Sequence, residues 1–468
     1  MSQKLIYLSQ IQKGRVNTNY EGLYQNQKVF IKHNAQQPLI LELENQNLSR
    51  FSNLNLTVPQ PLLFQPNGTL VLPYLNFESK NQQSYTLLAQ YLAQLHSHTQ
   101  SQFGYDYPSF NARTQLDNTP NPNWIDFFHK TRWQPLFEKM ESEPEHFNIW
   151  IKSIKISDRF QEIFNEVDLK PSLLHGDLNL DNWGQSDGKV YLFDLCSFYG
   201  HNWYDLICLL HWIDKPSHPD HKYVSAFIKT YNSCVEPYLR FNYQSPIIDL
   251  YRIYIDVTSS QLSSNTYLLT RAEKLMDKVI SRCQKIYPSL IKNSLPTESG
   301  VIVVQGGSYN PPHTNHIRNL QLAKVYIEQH MKQKVVKLVM SLASDERINK
   351  KCNNGYGLHQ RYHMLKAVAD PHSISIDLSQ LFGQALINYW RQAKESQVYF
   401  VCGTDTVEYN YKYLPQGTNI IVIARKGYSR PNFESEYIHW VDNDDEVEMS
   451  STQIRNAQNS VNWYLCTK

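Results

Sequence analysis

The chain has 468 residues, enough for two or three domains with cores of their own, and carries 45 Lys and Arg against 43 Asp and Glu. That balance gives no reason to expect a nucleic-acid or membrane-surface partner, and no run approaches the ~18 apolar residues of a membrane span. Cys196, Cys208, Cys234, Cys283, Cys352, Cys402 and Cys466 are scattered without a CxxC or paired Cys/His spacing, so they read as reduced thiols and exclude a disulfide framework or zinc site. The start, MSQKLIYLSQIQ, lacks the apolar core of a signal peptide, and a cytoplasmic protein is expected.

In chain order, Val29–Lys32, Pro59–Phe64 and Thr69–Leu75 are short β-rich runs, and Leu39–Phe51 between them has helical spacing. From Tyr85 the pattern changes. Leu87, Leu88, Tyr91, Leu92 and Leu95 make one apolar helical stripe, and helix-like segments recur to about Ile286. A small β-rich lobe over about 1–75 and a larger helical lobe over about 76–286 make an α+β, protein-kinase-like fold the expectation for a first domain spanning 1–286.

The informative run there is LLHGDLNLDNWGQSDGKVYLFDLCSFYGHNWYDL, Leu173 to Leu206. Phosphoryl transfer to a hydroxyl needs a carboxylate near that hydroxyl, oxygen ligands for magnesium and a cation on the ATP phosphates. Asp177 fits the first role, as the catalytic base. Asn182 and Asp194 supply the hard oxygens that Mg²⁺ takes beside phosphate oxygens. Lys32, on a predicted strand, is the candidate for the α/β-phosphates of ATP, and Glu44 in the following helix is placed to pair with it, with Glu42 as the fallback. Leu72 to Leu75 has the apolar character of an adenine-binding hinge.

These motifs resemble the aminoglycoside-phosphotransferase superfamily, and within it the fructosamine (ketosamine) kinase family. HGDLNLDN stands where that family shows HGDLWSGN, and DLCSFYGHNWYDL where it shows DPxxYYGHxxxDL. The resemblance spans roughly residues 10 to 285. Asn179, Leu180 and Asp181 replace the family's Trp, Ser and Gly, and Leu195 replaces the Pro after the metal-binding Asp, so the acceptor is open. His201 and Asp205 match the pattern in a structural, hydrogen-bonding role.

YPSLIKNSLPTESG, Tyr287 to Gly300, reads as a linker, and strands and helices alternate after it over 301–468, as in an α/β Rossmann-like, doubly wound parallel sheet. The domain opens with VIVVQGGSYNPPHTNH, Val301 to His316. A buried strand runs into two glycines, a Pro pair and two histidines three residues apart, a turn that brings backbone N–H groups and a helix N-terminus to a phosphate. Far downstream, SSTQIR ends at Arg455, and its hydroxyls and guanidinium are placed to close on the same polyphosphate.

Together these motifs resemble the nicotinamide/nicotinate mononucleotide adenylyltransferases of the HxGH nucleotidyltransferase superfamily, whose signature reads roughly GGSFNPPHxGH early and SSTxxR late. The resemblance covers about the last third of the chain. It implies that Gly306, Gly307, Ser308 and Asn310 bind the nucleotide, that His313 and His316 act as catalytic contacts to ATP phosphates, and that Ser451, Thr452 and Arg455 hold the β/γ-phosphates. Gly403 and Asp405 follow a strand as in the family's GxD segment, and Arg425 ends another strand, where the resemblance implies a place near the nucleotide. Arg347, Lys350 and Arg361 are candidates for the acceptor phosphate or for surface charge. Asn315 replaces the Gly of HxGH, and Tyr411 and Tyr413 are offered where the family has a Trp.

The two halves predict a bifunctional enzyme using ATP and Mg²⁺, with small-molecule substrates: a pyridine mononucleotide adenylylated to NAD or its deamido precursor, and a riboside, ketosamine or sugar phosphorylated by the first half. The alternatives are a first half that only senses ATP or a metabolite, and a second half that makes another ADP-linked product.

Overall fold

The computed structural model describes residues 5–13, 16–165, 167–281, 296, 298–349, 355–381, 383–391, 396–425, 427–431 and 435–443. The chain divides into two compact units, Met1–Lys139 with Arg159–Cys283, and Met140–Asp158 with Gln284–Lys468. Ser451, Thr452, Arg455, Lys350 and most of the expected linker lie outside the described residues.

The first unit begins with a five-stranded antiparallel sheet. Its strands are β1 (Ile6–Lys13), β2 (Thr18–Tyr24), β3 (Gln27–His33), β4 (Leu63–Gln65) and β5 (Thr69–Pro73), in the order β1-β2-β3-β5-β4. β2 turns into β3 through Gln25 and Asn26, both at positive φ (52° and 62°), the backbone of a two-residue hairpin whose twist suits the flanking strands. Val29, Ile31, Val71 and Tyr24 bury one face. Helix α1 (Pro38–Asn53) has Pro at its start, where no N–H is needed, and buries Leu41, Glu44, Asn47, Leu48 and Phe51. The expected strand over Pro59–Phe64 shrinks to β4, because Pro59 and Pro61 have no N–H to give a ladder.

The rest of this unit is mainly helical. The order is α2 (Gln82–Ser97), β6 (Ser109–Asn111), β7 (Thr114–Leu116), α3 (Trp124–Phe128) and α4 (Gln134–Glu138). After α5 (Phe147–Ser157), which belongs to the second unit, come α6 (Phe160–Phe164), β8 (Ser172–Leu174), β9 (Trp183–Ser186), β10 (Lys189–Leu192) and β11 (Phe198–Gly200). Four helices close it: α7 (Trp203–Ile213), α8 (Val224–Cys234), α9 (Ile247–Ser263) and α10 (Thr266–Ser281). The α2 stripe is buried as its spacing predicts, apart from a half-exposed Leu87. Helix α7 is apolar almost all round and buried on every side except at Trp212, as a core helix should be.

The second unit holds a six-stranded parallel sheet: β12 (Val301–Gly307), β13 (Val335–Leu342), β14 (Ser375–Asp377), β15 (Gln397–Gly403), β16 (Asn419–Ile423) and β17 (Ile438–Val441). The order β14-β13-β12-β15-β16-β17 reverses direction between β12 and β15. In open parallel sheets such a switch leaves a crevice at the carboxyl ends of the two strands, and ligands bind there. The helices are α5 (Phe147–Ser157), α11 (Thr314–Gln329), α12 (Asp345–Asn349), α13 (Leu358–Ala369), α14 (Gln384–Trp390) and α15 (Val407–Tyr413). α5 comes from the middle of the stretch that reads as a helical lobe, yet packs in this unit. The Phe147 ring lies 5.5 Å from that of Tyr362 on α13, and Glu141 accepts from Tyr362 Oη at 2.9 Å. Among the described residues no helix is long and apolar enough to cross a membrane.

Candidate active sites

In the first unit the chain places Lys32, Glu44, Asp177, Asn182 and Asp194 on one cavity of about 1370 Å³. Lys32 Nζ donates to Glu44 Oε1 at 2.5 Å and also to Asp194 Oδ1. Burial opposes the charge on Lys32, but Asp194 and Glu44 outweigh it and raise the amine above its ordinary pKa. Burial in turn raises Glu44 against the pull of Lys32. Asp194 also loses solvation, yet Lys32 holds it low, while its side chain stays open to the cavity. α1 grips this corner twice: three residues after Glu44, Asn47 Nδ2 donates to Leu195 O at 3.4 Å. That second contact was missed from sequence, although a polar pair three apart on an apolar helix face is the signal that would have found it.

The loop between β8 and β9 is built around Asp205. Its carboxylate accepts the His175 N–H at 2.6 Å and the Gly176 N–H at 2.9 Å, with His96 Nε2 at 3.4 Å. His175 is held neutral by burial, its Nδ1 accepts the Asp177 N–H at 3.2 Å, and Nε2 donates to Phe193 O at 3.0 Å. Gly176 has φ +84°, and a Cβ there would sit 1.9 Å from Cys196 O, so no other residue fits. Asn182 Nδ2 donates to Asp177 O at 2.8 Å and Oδ2 at 3.2 Å, which ties the two side chains together. Asp177 is pushed up to about 7, first by burial and then by the charge of Asp194. His201 Nδ1 meets Tyr251 Oη at 2.9 Å away from the cavity, so His201 and Asp205 both serve the scaffold.

In the second unit a cavity of about 220 Å³ opens at the switch between β12 and β15. Gly306, Gly307, Ser308, His316, Gly403, Asp405 and Arg425 line it, as do Arg347 and Tyr409. A Cβ at Gly307 would lie 2.9 Å from the buried Tyr309 ring, and one at Gly403 would lie 2.5 Å from Asp405 Oδ1 and displace that carboxylate. Arg425 Nη1 donates to Asp405 Oδ2 at 2.9 Å. His316 Nδ1 accepts the His313 N–H at 3.1 Å, which leaves the His316 proton on Nε2. Burial, and the nearby Arg425, lower His313 to about 4; burial with His313 and Arg425 also holds His316 well below the ordinary imidazole value. Both rings are therefore neutral donors, 3.8 Å apart between centroids, and buried His313 Nδ1 has no protein partner among the described residues.

Five expected residues do not line this cavity. Asn310 Oδ1 accepts the Tyr356 N–H at 2.8 Å, and neither Asn310 nor His313 is among the residues lining the cavity. Arg361 is fully buried and spends its guanidinium on structure. It donates to Tyr356 O at 3.0 Å, to Ser308 O and Ala343 O at 2.9 Å, and to Asp345 Oδ1 at 2.8 Å. Tyr411 and Tyr413 do not line the cavity; Tyr409 does, with its hydroxyl accepting from Arg347 Nη2 at 3.2 Å.

Known proteins divide the chain in the same order. The fructosamine kinase family matches residues 3–282, and the cytidylyltransferase-like family matches residues 304–457. A ketosamine-3-kinase of Mus musculus is 33% identical over 109 residues, 22% of this chain and 34% of the mouse protein. A probable ketoamine kinase of Klebsiella aerogenes is 27% identical over 281 residues, 57% of this chain and 90% of its own length. A crystal structure of a protein assigned as a fructosamine-3-kinase from Thermobifida fusca YX-ER1 overlaps 60% of this chain and 95% of its own, with a TM-score of 0.50 and 17% identity, a likeness of fold. Since the first match takes in more than half of its length, the chain belongs to the fructosamine kinase family, with a cytidylyltransferase-like domain after the kinase-like one.

Proposed function

We propose that the chain is a bifunctional enzyme in which an ATP-dependent kinase phosphorylates a small hydroxylated acceptor and the second domain adenylylates a pyridine mononucleotide, giving NAD or its deamido precursor. The observation that carries the reading is the convergence of Lys32, Asp177, Asn182 and Asp194 on one cavity, followed in the same chain by a glycine–histidine turn at the sheet's switch point.

In the kinase cavity the acceptor hydroxyl gives its proton to Asp177 as its oxygen bonds to the γ-phosphorus, and ADP leaves. Lys32, held by Glu44, neutralises ATP phosphates. Four carboxylates (Glu44, Asp177, Asp181 and Asp194) line the cavity against the ammoniums of Lys32 and Lys215, and Lys32 is already paired with Glu44 and Asp194, a surplus of negative charge and hard oxygen that suits Mg²⁺. Asp194 and Asn182 would hold the ion, which would screen the phosphates. Asp177 is left to orient the hydroxyl and take its proton.

In the second cavity a phosphate oxygen of the mononucleotide attacks the α-phosphorus of ATP and pyrophosphate leaves. The backbone of Gly306 and Gly307, the His316 Nε2–H and Arg425 stabilise the charge that builds on the phosphate oxygens, so positioning and electrostatics supply the rate. Asp405 is available to the ribose hydroxyls. Phosphorylation of a riboside by the first half would make the mononucleotide that the second consumes; the relatives' names favour a ketosamine as the other acceptor to test. The test is mass spectrometry of products from Mg-ATP or Mg-CTP with pyridine mononucleotides, ribosides and ketosamines. Dinucleotide formed from a mononucleotide with ATP supports the reading. Transfer from CTP alone, or to no pyridine mononucleotide, overturns it.

A further inference from the structure

The walls of the kinase cavity carry Glu44, Asp177, Asp181 and Asp194, and also Trp212, Lys215 and His218 from the end of α7 and the loop after it. α7 sets the two groups apart: Asp205 near its start anchors the loop of Asp177, and Lys215 follows its end, about 12 Å further along the axis at 1.5 Å per residue. The carboxylates nearest Lys215 are already committed. Asp214 accepts from Arg252 Nη2 at 2.8 Å and lies 3.5 Å from His221 Nδ1. Asp256 accepts from Arg271 Nε at 2.8 Å and meets His211 Nε2 at 2.9 Å. Lys215 makes no ion pair among the described residues, and its amine lies 5.7 Å from the Trp212 ring centroid. Desolvation lowers its pKa first, then the like charge of Arg271, against the pull of Asp256; with both neighbouring carboxylates committed and no ion pair of its own, the amine is open to an anion from the cavity. Trp212 is also the one residue of α7 not fully buried, which gives the amine a flat apolar neighbour. A cavity of about 1370 Å³ exceeds the space of one small ligand and has room for a nucleotide and an acceptor together.

We propose that the acceptor of the kinase half carries a carboxylate remote from the hydroxyl it offers to Asp177, and that Lys215 is the residue that reads it, beside the ring of Trp212. The inference rests on the kinase reading above and deepens it. The acidic end of the cavity repels such a carboxylate and the Lys215 end receives it, so one molecule is both selected and turned with its hydroxyl toward the base. A carboxylate of this kind occurs on the base of an acid-form pyridine riboside and on the amino-acid part of a ketosamine. The chemistry is shared, and the two sources separate by experiment.

The test measures phosphorylation kinetics of two matched pairs, nicotinate riboside against nicotinamide riboside and fructosylglycine against fructosyl-methylamine, with wild type, Lys215→Met and Lys215→Arg. A charge-assisted contact predicts that the carboxylate member is favoured by about 10- to 100-fold in kcat/KM, mainly through KM. Lys215→Met should bring the pair to parity, Lys215→Arg should keep most of the preference, and KM for ATP should not move. Preference within the fructosyl pair with both ribosides refused supports the role of Lys215 and removes the pyridine acceptor. Ribosides used without preference, or a preference that survives Lys215→Met, overturn the role of Lys215 while the kinase reading stands. Refusal of all four acceptors overturns both.

Discussion

Asp177 concentrates the chemistry of the first site in one side chain. It lies where the Asp205-anchored loop and the Asp194 corner meet, and burial together with Asp194 pushes it up to about 7. A base must be ionised to accept a proton, so activity is expected above that value and is lost as the pH falls through it. The measurement is kcat/KM for ATP in the kinase reaction, which reports the free enzyme. It should be flat above about pH 8 and fall about tenfold per unit below 7. The second reaction should show no enzyme limb near 7, because His313 is lowered to about 4 and His316 is also held well below its ordinary value, leaving only the substrate phosphate, with its own pKa near 6. A kinase profile without a limb between 6 and 8 would remove Asp177 from the role of base.

At the scale of elements, motif residues next to a strand were legible and those held by tertiary contacts were not. Lys32 and Glu44 follow from a strand and a helix read locally, and Asp177, Asn182 and Asp194 from one short run of sequence. The strands β1 and β2 were not read, because IYLSQIQK and TNYEGLY mix polar and apolar residues and leave β1 largely exposed. Asn47, Tyr409 and the work of Arg361 needed the fold, since each depends on a partner far along the chain. Arg361 is the sharpest case. Basic residues after a nucleotide turn suggest a phosphate ligand, yet this one ties the loop after β12 to the loop after β13 through backbone carbonyls. Arg361→Met leaves the Tyr356, Ser308 and Ala343 carbonyls without this donor, while Asp345 keeps the Leu358 N–H, and should cost on the order of 3 kcal/mol. The expected readout is a melting transition of the second domain lowered by several degrees and a raised KM for ATP in nucleotidyl transfer, with kinase constants unchanged. An unaltered melting curve would show that Arg361 is not the clamp.

At the scale of the whole molecule, the order of the two halves was legible because each opens or closes on a dense motif. The path of the chain between them was not. Nothing in the spacing of HFNIWIKSIKIS distinguishes a helix of one domain from a helix of the next, and only packing assigns Met140–Asp158 to the second unit. There Phe147 and Trp150 are buried with their rings against Tyr362 of α13, each worth roughly 1.5–3 kcal/mol when fully removed from water. The second unit is therefore not a fragment that can be cut free at Gln284. Residues 284–468 expressed alone should aggregate or melt well below the transition of the full chain, and supplying residues 140–158 should recover part of the loss. A fragment that melts where the full chain does would show the helix to be dispensable.

The most direct test of two reactions in one chain uses Asp177→Asn and His316→Asn with a pyridine riboside and Mg-ATP, followed by mass spectrometry. The wild type should carry the riboside to the dinucleotide. His316→Asn should stop at the mononucleotide, while Asp177→Asn should leave the riboside untouched yet still convert added mononucleotide. Dinucleotide formed from the riboside by Asp177→Asn, or by His316→Asn at the wild-type rate, would contradict the account.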